Sequence, residues 1–174
     1  MRPQDIVILL KKLSPAGYSL NGRQLSESLG ISASEISEAM DRNAVAGLID
    51  STKSQINTLA LKDFLVYGLK YCFPAVIGGI VRGVPTAVSA APFSDSIVSG
   101  SETYVWPSPA GESRGQAVEP LYHSVPEAVL KDTDFYRLMA IADVLRIGRA
   151  REKERAIDEL KVYIARYERQ QGKN

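Results

Sequence analysis

Hydroxyl, carboxylate and guanidinium side chains alternate along SASEISEAMDR, residues 32–42. Ile36, Ala39 and Met40 recur within this stretch at helical spacing, so the polar side chains fall on the opposite face of a predicted helix. Short hydroxyls and a guanidinium on an exposed helix can contact base edges and phosphates. The pattern indicates a helix that reads DNA, and an α-hairpin used for packing or for binding a protein is the alternative.

The candidate DNA contacts lie on this helix, just before it and at a basic turn after it. Glu35 and Glu38 could accept hydrogen bonds from cytosine, and Arg42 could pair with guanine or with a phosphate. Acidic residues outnumber Arg42 on this face, so we expect compensating basic residues elsewhere. The residues assigned to DNA are Arg23, Gln24, Ser32, Ser34, Glu35, Ser37, Glu38, Arg42 and Lys53.

The stretch before this helix supplies a second helix and a tight turn. Leu25 and Leu29 are predicted to face a core, and Gly30 suits a turn that requires positive φ. Ser32 is predicted to cap the following helix, with Glu35 completing a capping box. An earlier helix is predicted to begin at Pro3 and to end at Ser14, since proline suits a first helical turn.

These residues resemble the helix-turn-helix of bacterial winged-helix regulators of the MarR-like type. The resemblance rests on RQLSESLGISASEISEAMDRNAVAGLID, residues 23–50, and covers roughly residues 3–60. It implies a short β-hairpin wing, with strands at residues 48–50 and 55–59 and Lys53 at the tip. It also implies a DNA-binding transcriptional regulator.

The rest of the chain consists of regions that differ in amino-acid composition. Seven of the nine prolines lie within residues 72–131, whereas residues 132–174 are rich in charge and helical in pattern. We therefore predict an α+β protein. It comprises a winged helix-turn-helix with a connecting helix (residues 1–71), a Pro-rich module of short strands and loops (72–131) and two C-terminal helices (132–174). Ile157, Leu160 and Ile164 have the spacing of a packed or paired helix, which makes the last helix the candidate dimerisation element.

Two arginines in the middle region each precede a glycine in apolar surroundings. Burying an unpaired charge is costly, so Arg82 and Arg114 require partners. One interpretation is a structural salt bridge to Glu102 or Glu119. The other is an anion or carboxylate pocket built from the two arginines, with Trp106 as a wall.

Residue usage argues against a metal centre, an enzyme and a membrane protein. His123 and Cys72 are the single histidine and cysteine, which is too few for a zinc site, and Cys72 is predicted to be core. No catalytic constellation or cofactor motif is present. The apolar run over residues 72–92 is broken by proline, glycine and Arg82, so we predict buried extended chain rather than a membrane span. A lone cysteine favours a cytoplasmic location.

The combined pattern predicts a cytoplasmic, sequence-specific regulator that binds double-stranded DNA as a homodimer, most simply a repressor. The net charge of +1 gives no global attraction to DNA, so any affinity must come from a local patch. Residues 146–155, RIGRAREKER, are one candidate for that patch or for a surface that contacts an acidic partner. The alternative function is an antitoxin-like or adaptor protein that binds a partner protein and regulates its own operon.

Overall fold

The computed structural model describes residues 1–94 and 103–172 and shows an α+β protein. Its N-terminal third contains α1 (Pro3–Leu13), α2 (Gly22–Leu29) and α3 (Ala33–Val45). Helix α1 begins where the Asp5 carboxylate accepts from the backbone N–H of Arg2 at 2.7 Å, and it ends at Ser14 as predicted. All of Ile6–Leu10 is buried, so α1 lies in the interior rather than on the surface.

A connecting helix leads from the N-terminal third to the middle of the chain. Asn57 caps α4 (Thr58–Asp63), which continues through a π-helical segment (Phe64–Gly68) into α5 (Leu69–Cys72). Leu61, Leu65 and Leu69 form its buried face. Cys72 is exposed, so its assignment to the core is wrong. It lies in the last turn of the connecting helix, beyond the buried leucines.

The middle region forms a small closed sheet of three strands, β1 (Ile77–Pro85), β2 (Tyr104–Pro107) and β3 (Ser113–Val118). Strand β1 pairs antiparallel with both others, and β2 pairs parallel with β3. The sequence predicted a buried extended chain here. The extended conformation is confirmed, but the burial is confirmed only for the end of β1. Gly83 and Val84 are buried, whereas Ile77 and Ile80 are 45% and 69% exposed, because only the end of β1 reaches the core.

Two helices end the chain, as predicted: α7 (Thr133–Ile147) and α8 (Ala150–Gln171). A short helix, α6 (Val125–Ala128), precedes them. Leu160 of α8 is fully buried in the chain's own core, and Ile157 and Ile164 pack against it. The apolar seam proposed for dimerisation is therefore used within the chain. None of the described helices is both long and apolar enough to cross a bilayer.

The three regions distinguished by composition share one hydrophobic cluster. Lys11 of α1 forms an ion pair with Asp132 at 2.6 Å, and the backbone N–H of Ile56 donates to the Tyr167 hydroxyl at 2.9 Å. Helix α7 lies at the centre, since nearly every residue from Leu138 to Arg146 is buried. The N-terminal helices are thus held against a scaffold formed by α7 and α8.

A buried carboxylate on α7 joins that helix to the sheet. Asp143 accepts hydrogen bonds from the Thr86 hydroxyl at 2.8 Å, the Trp106 indole N–H at 2.7 Å and the Arg146 guanidinium at 2.7 Å. Arg146 also donates to the carbonyl of Phe73 at 2.9 Å. Each buried polar group in this network has a partner, as burial requires.

Candidate nucleic-acid interface

Helices α2 and α3 are joined by the tight turn that the sequence predicted. Gly30 has φ 63° and ψ 32°, a left-handed conformation that glycine adopts without steric cost. The Asn21 side chain caps α2 by accepting from the N–H of Gln24 at 3.0 Å, and Ser32 caps α3 by accepting from the N–H of Glu35 at 3.2 Å. The predicted inner face is buried throughout, comprising Leu25, Leu29, Ile31, Ile36, Ala39 and Met40.

The predicted capping box at α3 is only half formed. Within the described residues, the Glu35 carboxylate does not return to Ser32. It accepts instead from Arg42, from the Gln4 amide at 3.1 Å and from the Arg2 guanidinium at 3.2 Å. The hydrogen bond from Arg42 is the main reason that the pKa of Glu35 lies below its ordinary value. Glu35 is thus engaged in an ion-pair network, and a contact with cytosine would have to compete with these three partners.

Arg42, which the sequence assigned to DNA, forms ion pairs within the protein. Its guanidinium donates to both carboxylate oxygens of Asp5, with Nε–Oδ2 at 2.9 Å and Nη2–Oδ1 at 2.7 Å, and it also contacts Glu35 and Glu38. The Asp5 side chain is 0% exposed and that of Arg42 is 23% exposed. Hydrogen bonding to Asp5 is the largest cause of the raised pKa of Arg42. A buried carboxylate on α1 therefore binds the arginine, and a contact of Arg42 with DNA would have to compete with three carboxylates.

The outer face of α3 remains open around Arg42. Ser34, Ser37 and Glu38 are exposed, as predicted for a helix that faces a ligand. The Ser34 hydroxyl lies 3.1 Å from that of Ser32. Because Arg42 is bound to Asp5, this face carries hydroxyls and carboxylates but no unpaired cation. Helix α3 by itself therefore cannot neutralise phosphates.

The first turn of α2 presents the predicted polar pair to solvent. The Arg23 side chain is 88% exposed and forms an ion pair with Glu27, one helical turn on, at 3.0 Å. Such an exposed pair is weak and exchanges readily for another anion. Gln24 is exposed as well, with its side-chain oxygen accepting from the N–H of Asn21 at 3.0 Å. Arg23 is therefore the most accessible arginine beside α3.

A stubby β-hairpin follows α3, shorter than the resemblance implied. Ile49 and Ile56 form a single antiparallel bridge, and the N–H of Asn57 donates to the carbonyl of Leu48 at 3.0 Å. The second strand was expected to run to residue 59. It stops at Asn57 because the side chain of that residue caps α4, which begins at Thr58.

The hairpin turn is organised by one carboxylate. Asp50 accepts from the backbone N–H groups of Ser54 and Gln55, both at 2.7 Å. These bonds, that of Gln55 first, lower the pKa of Asp50 to about 2. Lys53 lies at the tip with φ 60° and forms an ion pair with Asp41 of α3. The tip therefore lies beside the exposed face of α3.

A cavity of about 300 Å³ opens between α1, the start of α2, one side of α3 and the hairpin turn. Its polar lining consists of Lys12, Asn21, Ser37 and Lys53. Lys12 is only 6% exposed, and burial lowers its pKa, with the charge of Asp50 opposing the shift. Sequence reasoning missed Lys12. The available signal was IVILL before it, because a helix that is apolar on all sides carries its last residues into the interior.

The arginine pocket predicted in the middle region is not formed as proposed. Arg82 and Arg114 do come together as directly paired residues of β1 and β3, and both are exposed. Trp106, however, is 0% exposed and donates to Asp143, so it cannot line a pocket with them. Arg82 donates to the carbonyl of Gly111 at 2.6 Å.

Of the two predicted acidic partners of these arginines, only Glu119 lies within the described residues. In the part of the chain that the structure describes, no ion pair joins Arg82 or Arg114 to Glu119, and Glu102 lies outside the described residues. Within that same part, no group of histidine, cysteine, aspartate and glutamate side chains is arranged to hold a metal ion. No protein-family model, curated protein or solved structure matches the chain.

Proposed function

We propose that the N-terminal third is a winged helix-turn-helix that binds double-stranded DNA, and that the chain is a transcriptional regulator acting as a dimeric repressor. One observation carries this proposal. The left-handed turn at Gly30 buries the inner face of α3 and leaves Ser34, Ser37 and Glu38 exposed beside a hairpin tip. An exposed helix flanked by a helix N-terminus and a hairpin is the arrangement by which a recognition helix enters a major groove.

The charge distribution assigns different tasks to different parts of this surface. Hydroxyls and Glu38 on α3 can contact base edges, while affinity must come from phosphate contacts. Arg23 at the start of α2 and Lys53 at the hairpin tip flank α3 and supply the positive charge that α3 lacks. We therefore expect modest affinity per subunit, which a dimer on a two-fold symmetric site would increase.

Fluorescence anisotropy with DNA from upstream of the protein's own reading frame tests this function. Titrations are run at about 50 mM and about 200 mM salt, with a shuffled duplex as the control. We expect preferential binding to the upstream duplex and an affinity that falls as salt rises. Equal binding to both duplexes, or no binding at low salt, would refute the proposal.

A second candidate function is that of an adaptor that binds a partner protein. The observation that favours it is a set of large apolar side chains left exposed from the connecting helix to β1. The most exposed of these are Leu59 (63%), Tyr67 (71%), Tyr71 (78%), Val76 (72%) and Ile80 (69%). Large contiguous apolar patches mark interaction sites, and these side chains are the candidates for such a patch.

This apolar set is also a better candidate for dimerisation than the seam on α8, which is buried. Light scattering distinguishes the cases. A dimer that Tyr71→Glu converts to a monomer assigns the surface to self-association. A wild-type monomer that nevertheless recruits a co-purifying protein, lost in Tyr71→Glu, favours the adaptor function.

A further inference from the structure

A lysine without a partner borders the cavity beside α3. Within the described residues, Lys12 makes no hydrogen bond or ion pair, and Asp50 acts on it only through longer-range charge attraction. Its neighbour Lys11 shows what the same helix end can do, since its ammonium lies 2.6 Å from Asp132. The Lys12 ammonium contacts solvent through the cavity opening, but the side chain is largely covered, and a partly desolvated charge is costly unless it is paired. Lys12 thus has an unfilled requirement for a negative charge.

The other polar groups of the lining have the same preference, and they lie beside apolar side chains that include Leu20, Leu25, Ile36 and Met40. Ser37 contributes a hydroxyl that makes no hydrogen bond to the described residues, and Lys53 contributes a second ammonium, which is 38% exposed and paired with Asp41. Asn21 and Gly22 bring the N-terminus of α2, an eight-residue helix, to the cavity wall. The first N–H groups of a helix have no intrahelical acceptor and attract anions. No acidic residue lines the cavity among those described.

We propose that this cavity is a phosphate-binding site, and that in the DNA complex a backbone phosphate occupies it. The second clause rests on the proposed function. Lys12 is the cation that holds the anion from within, with Ser37 and the start of α2 as hydrogen-bond donors. Lysine binds phosphate as a point charge, which suits an ammonium approached through an opening.

The position of the cavity explains why the phosphate would belong to DNA. Ser37 and Lys53 line it, and both belong to the surface assigned to the duplex. A duplex resting on that surface presents phosphates at its edges, next to the helix N-terminus. Phosphate contacts of this type fix register and orientation rather than sequence. Lys12 would therefore position α3, and its loss should weaken binding to all sequences alike.

The experiment compares the wild type with Lys12→Gln and with Lys161→Gln. Lys161 is the matched control, because its side chain is 60% exposed on α8 and its ion pair is with Asp158 of the same helix. DNA affinity is measured over a salt series. Loss of one phosphate contact changes the slope of log affinity against log salt by about 0.9. We expect this change in Lys12→Gln and none in Lys161→Gln.

A second arm tests the site without DNA. Inorganic phosphate is titrated into each full-length protein at constant ionic strength, and amide shifts of Gly22 and Ser37 are followed by NMR. Shifts that saturate in the wild type and are lost in Lys12→Gln show a site that takes free phosphate. Lys12→Met, an unbranched apolar replacement of similar length, serves if the glutamine variant does not fold.

The two arms separate this proposal from the proposed function. If the wild type does not bind DNA but binds phosphate through Lys12, the site stands and the regulator function fails. If DNA binds but free phosphate does not, the slope of log affinity against log salt decides. A changed slope in Lys12→Gln then shows a site that takes only the phosphate of DNA. An unchanged slope together with no phosphate-induced shifts overturns the site. Loss of both DNA and phosphate binding in the wild type overturns both proposals.

Discussion

Arg42 of α3 and Asp5 of α1 form a bidentate ion pair, with the guanidinium Nε and Nη2 at 2.9 Å and 2.7 Å from the two carboxylate oxygens. This pair joins the helix proposed to contact DNA to the buried helix behind it. It also holds the one arginine of α3 against a buried carboxylate, with 23% of the arginine side chain exposed. The same residue that suggested base recognition in the sequence therefore sets the orientation of α3.

Arg42→Met is expected to lower the free energy of unfolding by about 3 kcal/mol, because it leaves the buried Asp5 carboxylate without its counter-ion. Urea denaturation measures the loss. Asp5→Asn combined with Arg42→Met should recover part of it, since the pair is then removed together. A stable Arg42→Met protein that has lost DNA binding would instead return Arg42 to the interface.

Arg23→Ala is expected to reduce DNA affinity while leaving stability within about 0.5 kcal/mol of the wild type, because Arg23 is exposed. The salt slope should fall by about 0.9, the share of one phosphate. Arg169→Ala, at an exposed position of α8 outside residues 146–155, is the control. Equal affinities for the two variants would remove Arg23 from the DNA surface.

Lys12→Met is expected to stabilise the protein near neutral pH, because it removes a desolvated and unpaired charge. The pKa of Lys12 is lower in the folded protein than in the unfolded chain, so the unfolded chain binds more protons. The cost of Lys12 is therefore fully present below its folded pKa and is relieved as pH rises toward about 10.4. Thermal unfolding at a series of pH values should show the advantage of Lys12→Met shrinking with rising pH. A constant difference would contradict this origin.

Acid should open the hairpin turn at a low pH that Asp50 sets. The folded pKa of Asp50 is lowered to about 2, so its contribution is complete above the unfolded aspartate value and is lost as pH falls toward 2. The protection factors of the Ser54 and Gln55 amides against hydrogen exchange should fall over that range. In the Asp50→Ala variant, these two amides should be unprotected at every pH. Protection of these amides in the variant would show that the carboxylate does not organise the turn.

Asp143→Ala is expected to destabilise the protein by about 3–5 kcal/mol, because the buried Arg146 guanidinium is left without a counter-ion. The Trp106 indole and the Thr86 hydroxyl also lose their acceptor. Asp143→Asn retains one acceptor oxygen and should cost less. Asp158→Ala, on the exposed face of α8, is the control for removing an aspartate. A near-neutral Asp143→Ala would show that water replaces the carboxylate.

Local pattern was sufficient for most of the elements. The run from Pro3 to Ser14, the capped pair of helices around Gly30 and the two C-terminal helices follow from residue spacing and capping, which act within one or two turns. The buried face of α2 and α3 was likewise readable, because helical periodicity places its apolar residues together. The short hairpin was foreseen, but its second strand was overextended. The periodic pattern did not reveal that Asn57 would begin a helix.

What the sequence alone determined is the set of elements and the face of each that is apolar, since these depend on neighbouring residues. The tertiary structure decided the partners of the charged groups. Asp5 pairs with Arg42, and Asp143 pairs with Arg146 and accepts from Trp106. Lys12 has no partner among the described residues and lies at the edge of a cavity. Electrostatic interactions act between whichever groups packing brings together, irrespective of their separation along the chain. For that reason the charges beside α3 could be counted from the sequence, but which of them remain available to DNA could not.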